Sequence, residues 1–250
     1  MRPLPRHIVF DLDGTLADSS QGILWSFRAT LDEIGLEVRP EVLAQLIGPP
    51  LGDSFRILGV EESEIDEVVA LYRGYYARRG IFEVRLYDGI TELLDQLGER
   101  GVRLAVATAK RVDFAEQMLG ALGIAHHFDH VAGASVDLRV TAKYDVMALV
   151  FHEWRLESDR DVWMVGDRHF DMLAARRHGV SAVGALWGFG DAEELTTAGA
   201  HWLVSRPHRL LEADEEGGSG VCLLDEVCET CGCVMDESHA ASTHSPLDSQ

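Results

Sequence analysis

The tightest constraint on this chain is a rhythm that sets in after residue 85. Short apolar runs alternate there with segments of helical periodicity. Val102–Ala107, His130–Ala132, Val162–Val165, Ala182–Leu186 and His201–Val204 read as strands. Gly89–Arg100, Phe114–Leu122, Ala142–Trp154, Phe170–His178 and Ala192–Ala198 read as the helices between them. One more strand, His7–Leu12, opens the chain. Strands that alternate with helices form βαβ units, whose parallel sheet is covered on both faces. The expected fold class is therefore α/β, a doubly wound, Rossmann-like parallel sheet. Ligand sites in such sheets lie outside the carboxyl ends of the strands.

The segment between the first strand and this rhythm is different. Ser19–Ile34 carries apolar residues at Ile23, Phe27, Leu31 and Ile34, then stops at Gly35. Residues 36–84 continue with helical pattern, divided by Pro40, Gly48-Pro49-Pro50 and Gly80, and hold no convincing strand. We read residues 18–84 as a helical cap inserted into a core made of residues 1–17 and 85–213. Beyond Asp214 the pattern dissolves. Gly217-Gly218-Ser219-Gly220 has linker composition, and residues 212–250 hold ten Asp or Glu and no Lys or Arg. A tail over 214–250, disordered or ordered only by a metal, is the expectation.

Charge narrows the partners. Lys+Arg is 22 against Asp+Glu 42, a formal net charge of −20. Such a chain repels a phosphate backbone and an anionic membrane surface, so neither nucleic acid nor membrane is an expected partner. No apolar run approaches a membrane span. The first residues offer no signal-peptide core, so a cytoplasmic protein is expected. Among the 22 basic residues only Lys110 and Lys143 are lysines. These two mark places where a compact ammonium suits and a guanidinium fork does not. Lys143 opens a helix, whereas Lys110 reads as exposed.

The chemistry gathers at strand ends. Phe10-Asp11-Leu12-Asp13-Gly14-Thr15 places two carboxylates two residues apart, on one face, before a glycine turn. Gly166-Asp167-Arg168-His169-Phe170-Asp171 places two more, four apart, where a helix begins. Thr108 ends a third strand. Four carboxylates, a hydroxyl and the Lys143 ammonium thus converge. Carboxylates held together need a cation or a shared proton. An all-oxygen set without His or Cys suits a hard cation, Mg2+ above all. With Lys143 it would attract a phosphate, one carboxylate could attack phosphorus, and another could move protons.

Asp11-x-Asp13-Gly14-Thr15, Thr108, Lys143 and Gly166-Asp167-x-x-x-Asp171 resemble, in order, the four motifs of the haloacid dehalogenase superfamily. The match runs over residues 7–212. Ile47-Gly48-Pro49-Pro50-Leu51, Tyr87-Asp88-Gly89-Ile90 and Trp187-Gly188-Phe189-Gly190 resemble its phosphoglycolate phosphatase-like subgroup, which has a small helical cap; Asp88 stands where Pro is usual. The resemblance implies Asp11 as nucleophile and Asp13 as general acid and base. It implies Mg2+ held by Asp11, the backbone carbonyl of Asp13, and Asp167. Thr108 and Lys143 would bind the phosphoryl group, and Asp171 would support the metal or Lys143. The implied enzyme is a phosphatase acting on a small phosphorylated metabolite, a phosphoglycolate-like ester or a nucleoside 5′-monophosphate. In the cap, Pro49, Arg56, Tyr72 and Tyr76 are within reach of substrate, although aromatics at this spacing read first as core.

Two rivals remain. A phosphosugar mutase uses the same nucleophile, but Thr15 stands where such mutases usually carry Val. A metal-handling accessory protein would use the tail, where Cys228, Cys231 and Cys233 offer soft ligands to Zn2+ or Ni2+ or a surface to a protein partner.

Overall fold

A computed structural model describes residues 4–39, 42–43, 46–47, 51–137, 139–156, 161–212 and 221–223. The chain runs β1 (His7–Phe10), β2 (Ala17–Asp18), α1 (Ser20–Glu33), α2 (Leu51–Ile57), α3 (Ile65–Arg78) and β3 (Arg85–Leu86). It continues α4 (Ile90–Glu99), β4 (Arg103–Arg111), α5 (Val112–Ala121), β5 (His130–Ala134), α6 (Lys143–Trp154) and β6 (Val162–Gly166). Then come α7 (His169–His178), β7 (Ser181–Ala185), α8 (Ala192–Thr197), β8 (Trp202–Val204) and β9 (Val221–Leu223).

The main sheet has the order β5-β4-β1-β6-β7-β8-β9, with its first six strands parallel and β9 antiparallel to β8. This is the expected doubly wound α/β sheet. Both faces are buried, so apolar side chains fill both phases of the strand period. Ile8, Phe10, Leu104, Val106, Trp163 and Val165 pack on one face, with residues of α4 and α5. Val9, Ala105, Ala107, Val162 and Met164 pack on the other, against Val146, Met147 and Val150 of α6 and Met172 and Ala175 of α7.

Register decides where the motifs meet. Phe10 lies beside Val106 on one side and Val165 on the other. Asp11 therefore emerges beside β4, ahead of Thr108, and next to the end of β6, and its N–H still donates to the Val165 carbonyl at 2.9 Å. Here, at the centre of the sheet, the winding changes direction, which is where open α/β sheets form their crevice.

The helices between β2 and β3 form an aromatic-centred unit. Phe27 of α1 packs with tilted rings against Phe55 of α2 at 5.3 Å and Tyr72 of α3 at 4.8 Å. Its two connections to the sheet are strapped together. β2 and β3 pair antiparallel, and Arg85 Nη2 lies 3.0 Å from Asp18 Oδ2. The alternation read from the sequence names neither of these two-residue strands, nor β9; pieces so short carry no period. Tyr76 of α3 reaches across to Phe114 of α5 at 5.6 Å, so the helical unit also rests on the core. Among the described residues no helix is long and apolar enough to cross a membrane.

Backbone contact within the helical unit depends on glycine. A Cβ on Gly22 of α1 would lie 1.9 Å from the Gly80 carbonyl oxygen, whereas one on Gly74 of α3 would meet nothing within 4 Å. Gly22→Ala is expected to lose about 1–3 kcal/mol in urea unfolding through overpacking. Gly74→Ala is expected to gain up to about 1 kcal/mol by reducing unfolded-state entropy. Equal effects at the two positions would show that this close approach does not limit the cap.

Candidate active site

Six side chains named from the sequence share the carboxyl edge of β1, β4 and β6. Asp11 follows β1, Thr108 lies in β4, Lys143 opens α6, Asp167 follows β6 and Asp171 sits in the first turn of α7. Asp13 lies in the turn after Asp11. Thr108, Asp167, Asp171, Lys143 and Asp11 are all buried.

Lys143 is the hub. Its Nζ lies 2.7 Å from Asp11 Oδ1 and 2.9 Å from Asp171 Oδ1, and donates to the Ala107 carbonyl at 2.9 Å. Asp171 also accepts from the Arg168 N–H at 3.1 Å through Oδ2, so it caps its own helix and braces the lysine at once. Asp167 is gripped by Thr15 Oγ1 at 2.8 Å and by the Phe189 N–H at 2.9 Å. Glycines press on it. A Cβ on Gly14 (φ +83°) would fall 2.1 Å from Asp167 Oδ2, and one on Gly188 would fall 2.3 Å from Asp167 Cβ. Gly14 is thus required twice, for its left-handed backbone and for the space its missing side chain leaves. Trp187 fastens the same loop by donating from Nε1 to the Thr15 carbonyl at 2.8 Å.

The electrostatics are those of carboxylates short of positive charge. Carboxylate oxygens of Asp11, Asp167 and Asp171 all lie within 4.8 Å of one another. Burial pushes the Asp11 carboxyl up to about 7, with Lys143 opposing and Asp171 and Asp13 adding to the rise. Burial, with Asp11 and Asp171 nearby, pushes Asp167 well above its ordinary range. Burial alone would lower Lys143, but Asp11 and Asp171 outweigh it and hold the ammonium above its usual value. An all-oxygen, buried donor set whose carboxyls resist ionisation fits a hard divalent cation such as Mg2+.

Asp13 stands apart from this cluster. Its Oδ2 pairs with Lys110 Nζ at 3.0 Å, and the same Nζ donates to Tyr76 OH at 2.7 Å. Lys110 therefore departs from the sequence reading: its side chain is 8% exposed, not solvated. The register explains the difference. β4 advances from Thr108 to Arg111 while β5 advances from Gly133 to Ala134, so Ala109 and Lys110 form a bulge. A bulge re-aims side chains and removes the alternation by which a strand residue is placed. The available signal was composition, since both lysines of an Arg-rich chain end up at this site.

Other residues sort plainly. Glu194 of α8 was not named from the sequence; its Oε1 accepts from Arg168 Nε and the His169 N–H, each at 2.9 Å, and pairs with His169 Nδ1 at 2.6 Å. Arg56 is turned to Asp53 and Glu62 at 2.7 Å each, on the surface. Tyr72 is core, as its spacing suggested. Pro49 and the cysteines Cys228, Cys231 and Cys233 lie outside the described residues.

Residues 8–185 match the haloacid dehalogenase-like hydrolase family. The chain is 44% identical over 190 residues to the tyrosine-protein kinase PtkA of Mycobacterium tuberculosis, covering 76% of this chain and 65% of that protein. It is 36% identical over 192 residues to a 5′-nucleotidase of Pseudomonas aeruginosa, covering 76% of this chain and 86% of the nucleotidase. In structure it is similar to a predicted phosphatase from Clostridium acetobutylicum, with TM-score 0.79 and 35% identity over 84% of this chain and 98% of the other.

The raised Asp167 carboxyl has a measurable consequence. A carboxyl raised in the folded state withdraws stability as pH climbs from its unfolded value, near 3.8, through its folded value. Asp167→Asn removes that penalty, and an amide oriented with Oδ1 toward the Phe189 N–H and Nδ2 toward Thr15 Oγ1 satisfies both neighbours. In EDTA the variant is expected to melt above wild type at pH 8, with a smaller gap at pH 5; each kcal/mol corresponds to roughly 2–4 °C. Mg2+ should raise the melting temperature of wild type and not of the variant. A gap that shrinks with rising pH would contradict the assigned electrostatics.

Proposed function

The chain belongs to the haloacid dehalogenase-like hydrolase family, and on that premise we propose that it is a divalent-cation-dependent phosphatase. Its substrate is a small phosphomonoester, phosphoglycolate-like or a nucleoside 5′-monophosphate. The observation that carries this reading is the division among the carboxylates. Asp11, Asp167 and Asp171 crowd together, two of them on Lys143, while Asp13 stands outside that cluster and pairs with Lys110.

Asp11, the backbone carbonyl of Asp13, and Asp167 would hold Mg2+. When bound, the cation neutralises charge on the phosphoryl oxygens and favours ionised Asp11. Lys143, fixed by two carboxylates and a carbonyl, holds positive charge beside the phosphoryl group without reorganising. The Asp11 carboxylate attacks phosphorus as the bond to the leaving oxygen breaks, and Asp13 gives that oxygen a proton. Asp13 then takes a proton from water, which attacks the aspartyl-phosphate and frees phosphate and Asp11. Thr108, buried within β4, supplies a hydroxyl to the phosphoryl oxygens.

The 5′-nucleotidase relative supports the nucleotide arm of this reading. The relative named as a tyrosine-protein kinase favours a second one, transfer of a phosphoryl group to tyrosine, although the chain spans only 65% of that protein. Phosphate release from a panel of phosphomonoesters and nucleotides, with Mg2+ and with EDTA, separates them. The expected result is Mg2+-dependent release that falls about 10³-fold or more in Asp11→Asn and about 10²-fold or more in Lys143→Ala. Label passing from ATP to a tyrosine peptide, without release from any monoester, would replace the phosphatase by the kinase. Turnover of a sugar phosphate without free phosphate would restore the mutase.

A further inference from the structure

The proposed chemistry assigns Asp13 its proton transfers but says nothing of what aims it. We propose that Lys110 is a positioning residue that holds the Asp13 carboxyl by one oxygen and presents the other to the reacting atoms, and that Tyr76 ties this arrangement to the helical cap. The inference rests on the phosphatase reading for its consequence in rate, though not for its geometry.

Three observations carry it. The two oxygens of Asp13 have unequal surroundings: Oδ2 lies 3.0 Å from Lys110 Nζ, while Oδ1 is buried and accepts no hydrogen bond among the described residues. A buried carboxylate oxygen without a donor is costly, and such groups persist where function uses them. Lys110 is then held by Tyr76 OH at 2.7 Å, and Tyr76 belongs to α3 of the cap while Lys110 belongs to β4 of the core. Finally, the bulge at Ala109 and Lys110 is what turns this lysine out of the strand ladder. The sequence Asp13, Lys110, Tyr76 thus runs from core turn to core strand to cap helix. The packing of Tyr76 on Phe114 fixes its ring, and the Phe27–Tyr72 contact fixes its helix. When the cap is seated as here, Oδ1 is aimed; when α3 moves away, Lys110 loses one of its two partners.

The step affected is the breaking of the phosphorus–oxygen bond, in which the proton on Asp13 Oδ1 passes to the departing alkoxide. An ester with a poor leaving group needs that proton, and 4-nitrophenyl phosphate does not. In Lys110→Met, kcat/KM is expected to fall about 10²-fold on an alkyl phosphomonoester, the scale of a misplaced catalytic group. On 4-nitrophenyl phosphate it should fall less than about 5-fold. Tyr76→Phe should show the same inequality with a smaller loss. Equal losses on both esters, or none, overturn the inference; equal losses would mean that Lys110 binds phosphate or merely holds the fold.

Crystal structures of wild type and Lys110→Met read the aim directly, without turnover. The expected result is that Asp13 loses its single orientation in the variant. An Asp13 that stays in place overturns the inference whatever the enzyme hydrolyses. A displaced Asp13 in a chain whose wild type releases no phosphate leaves the positioning standing and removes the phosphatase reading instead.

Discussion

The ammonium of Lys143 makes the rest of the site possible. Three carboxylates within 4.8 Å of one another would otherwise repel in a buried setting. Lys143 lies 2.7 Å and 2.9 Å from two of them and donates to the Ala107 carbonyl. A buried charge so compensated is tolerated, while removal of one partner strands the others. The compensation is incomplete, since one cation faces three carboxyls. Burial first, and the neighbouring carboxyls after it, raise Asp11 and Asp167, a setting that fits a divalent cation.

That arrangement depends on a sheet in register. Phe10 beside Val106 and Val165 brings Asp11, Thr108 and Asp167 to one edge, although nearly a hundred residues separate the first two and more than fifty the last two. Glycine then sets how closely the loops approach. Gly14 and Gly188 leave room for the Asp167 carboxylate that a Cβ at either position would occupy. The cap is joined to this edge by two short strands, and its aromatic core ends at Tyr76, beside the Lys110–Asp13 pair.

Local sequence made much of this legible. The strands came from apolar runs that a two-sided sheet demands, and two of their ends from the polar residue that breaks the run, Asp11 after Phe10 and Asp167 after Gly166; β4 runs on past Thr108 to Arg111. Asp171 was legible as a helix cap and as a brace, and its two oxygens perform one task each. Lys110 was not legible, because a bulge cancels the alternation that would have shown its direction. Glu194 was hidden for another reason. It sits on an ordinary polar helix face and gains meaning only because Arg168 and His169 fold against it.

Sequence by itself determined the fold class, the order of the elements and the residue types at the strand ends. These follow from hydrophobic period and from chain connectivity, which are properties of neighbours in the chain. Tertiary structure alone decided which carboxylates crowd together and which one stands aside. Asp11 and Asp13 are two residues apart and chemically alike, yet one is drawn to Lys143 and the other to Lys110. Both lysines arrive from distant strands and helices, and the distances that decide a carboxylate's role are set by packing.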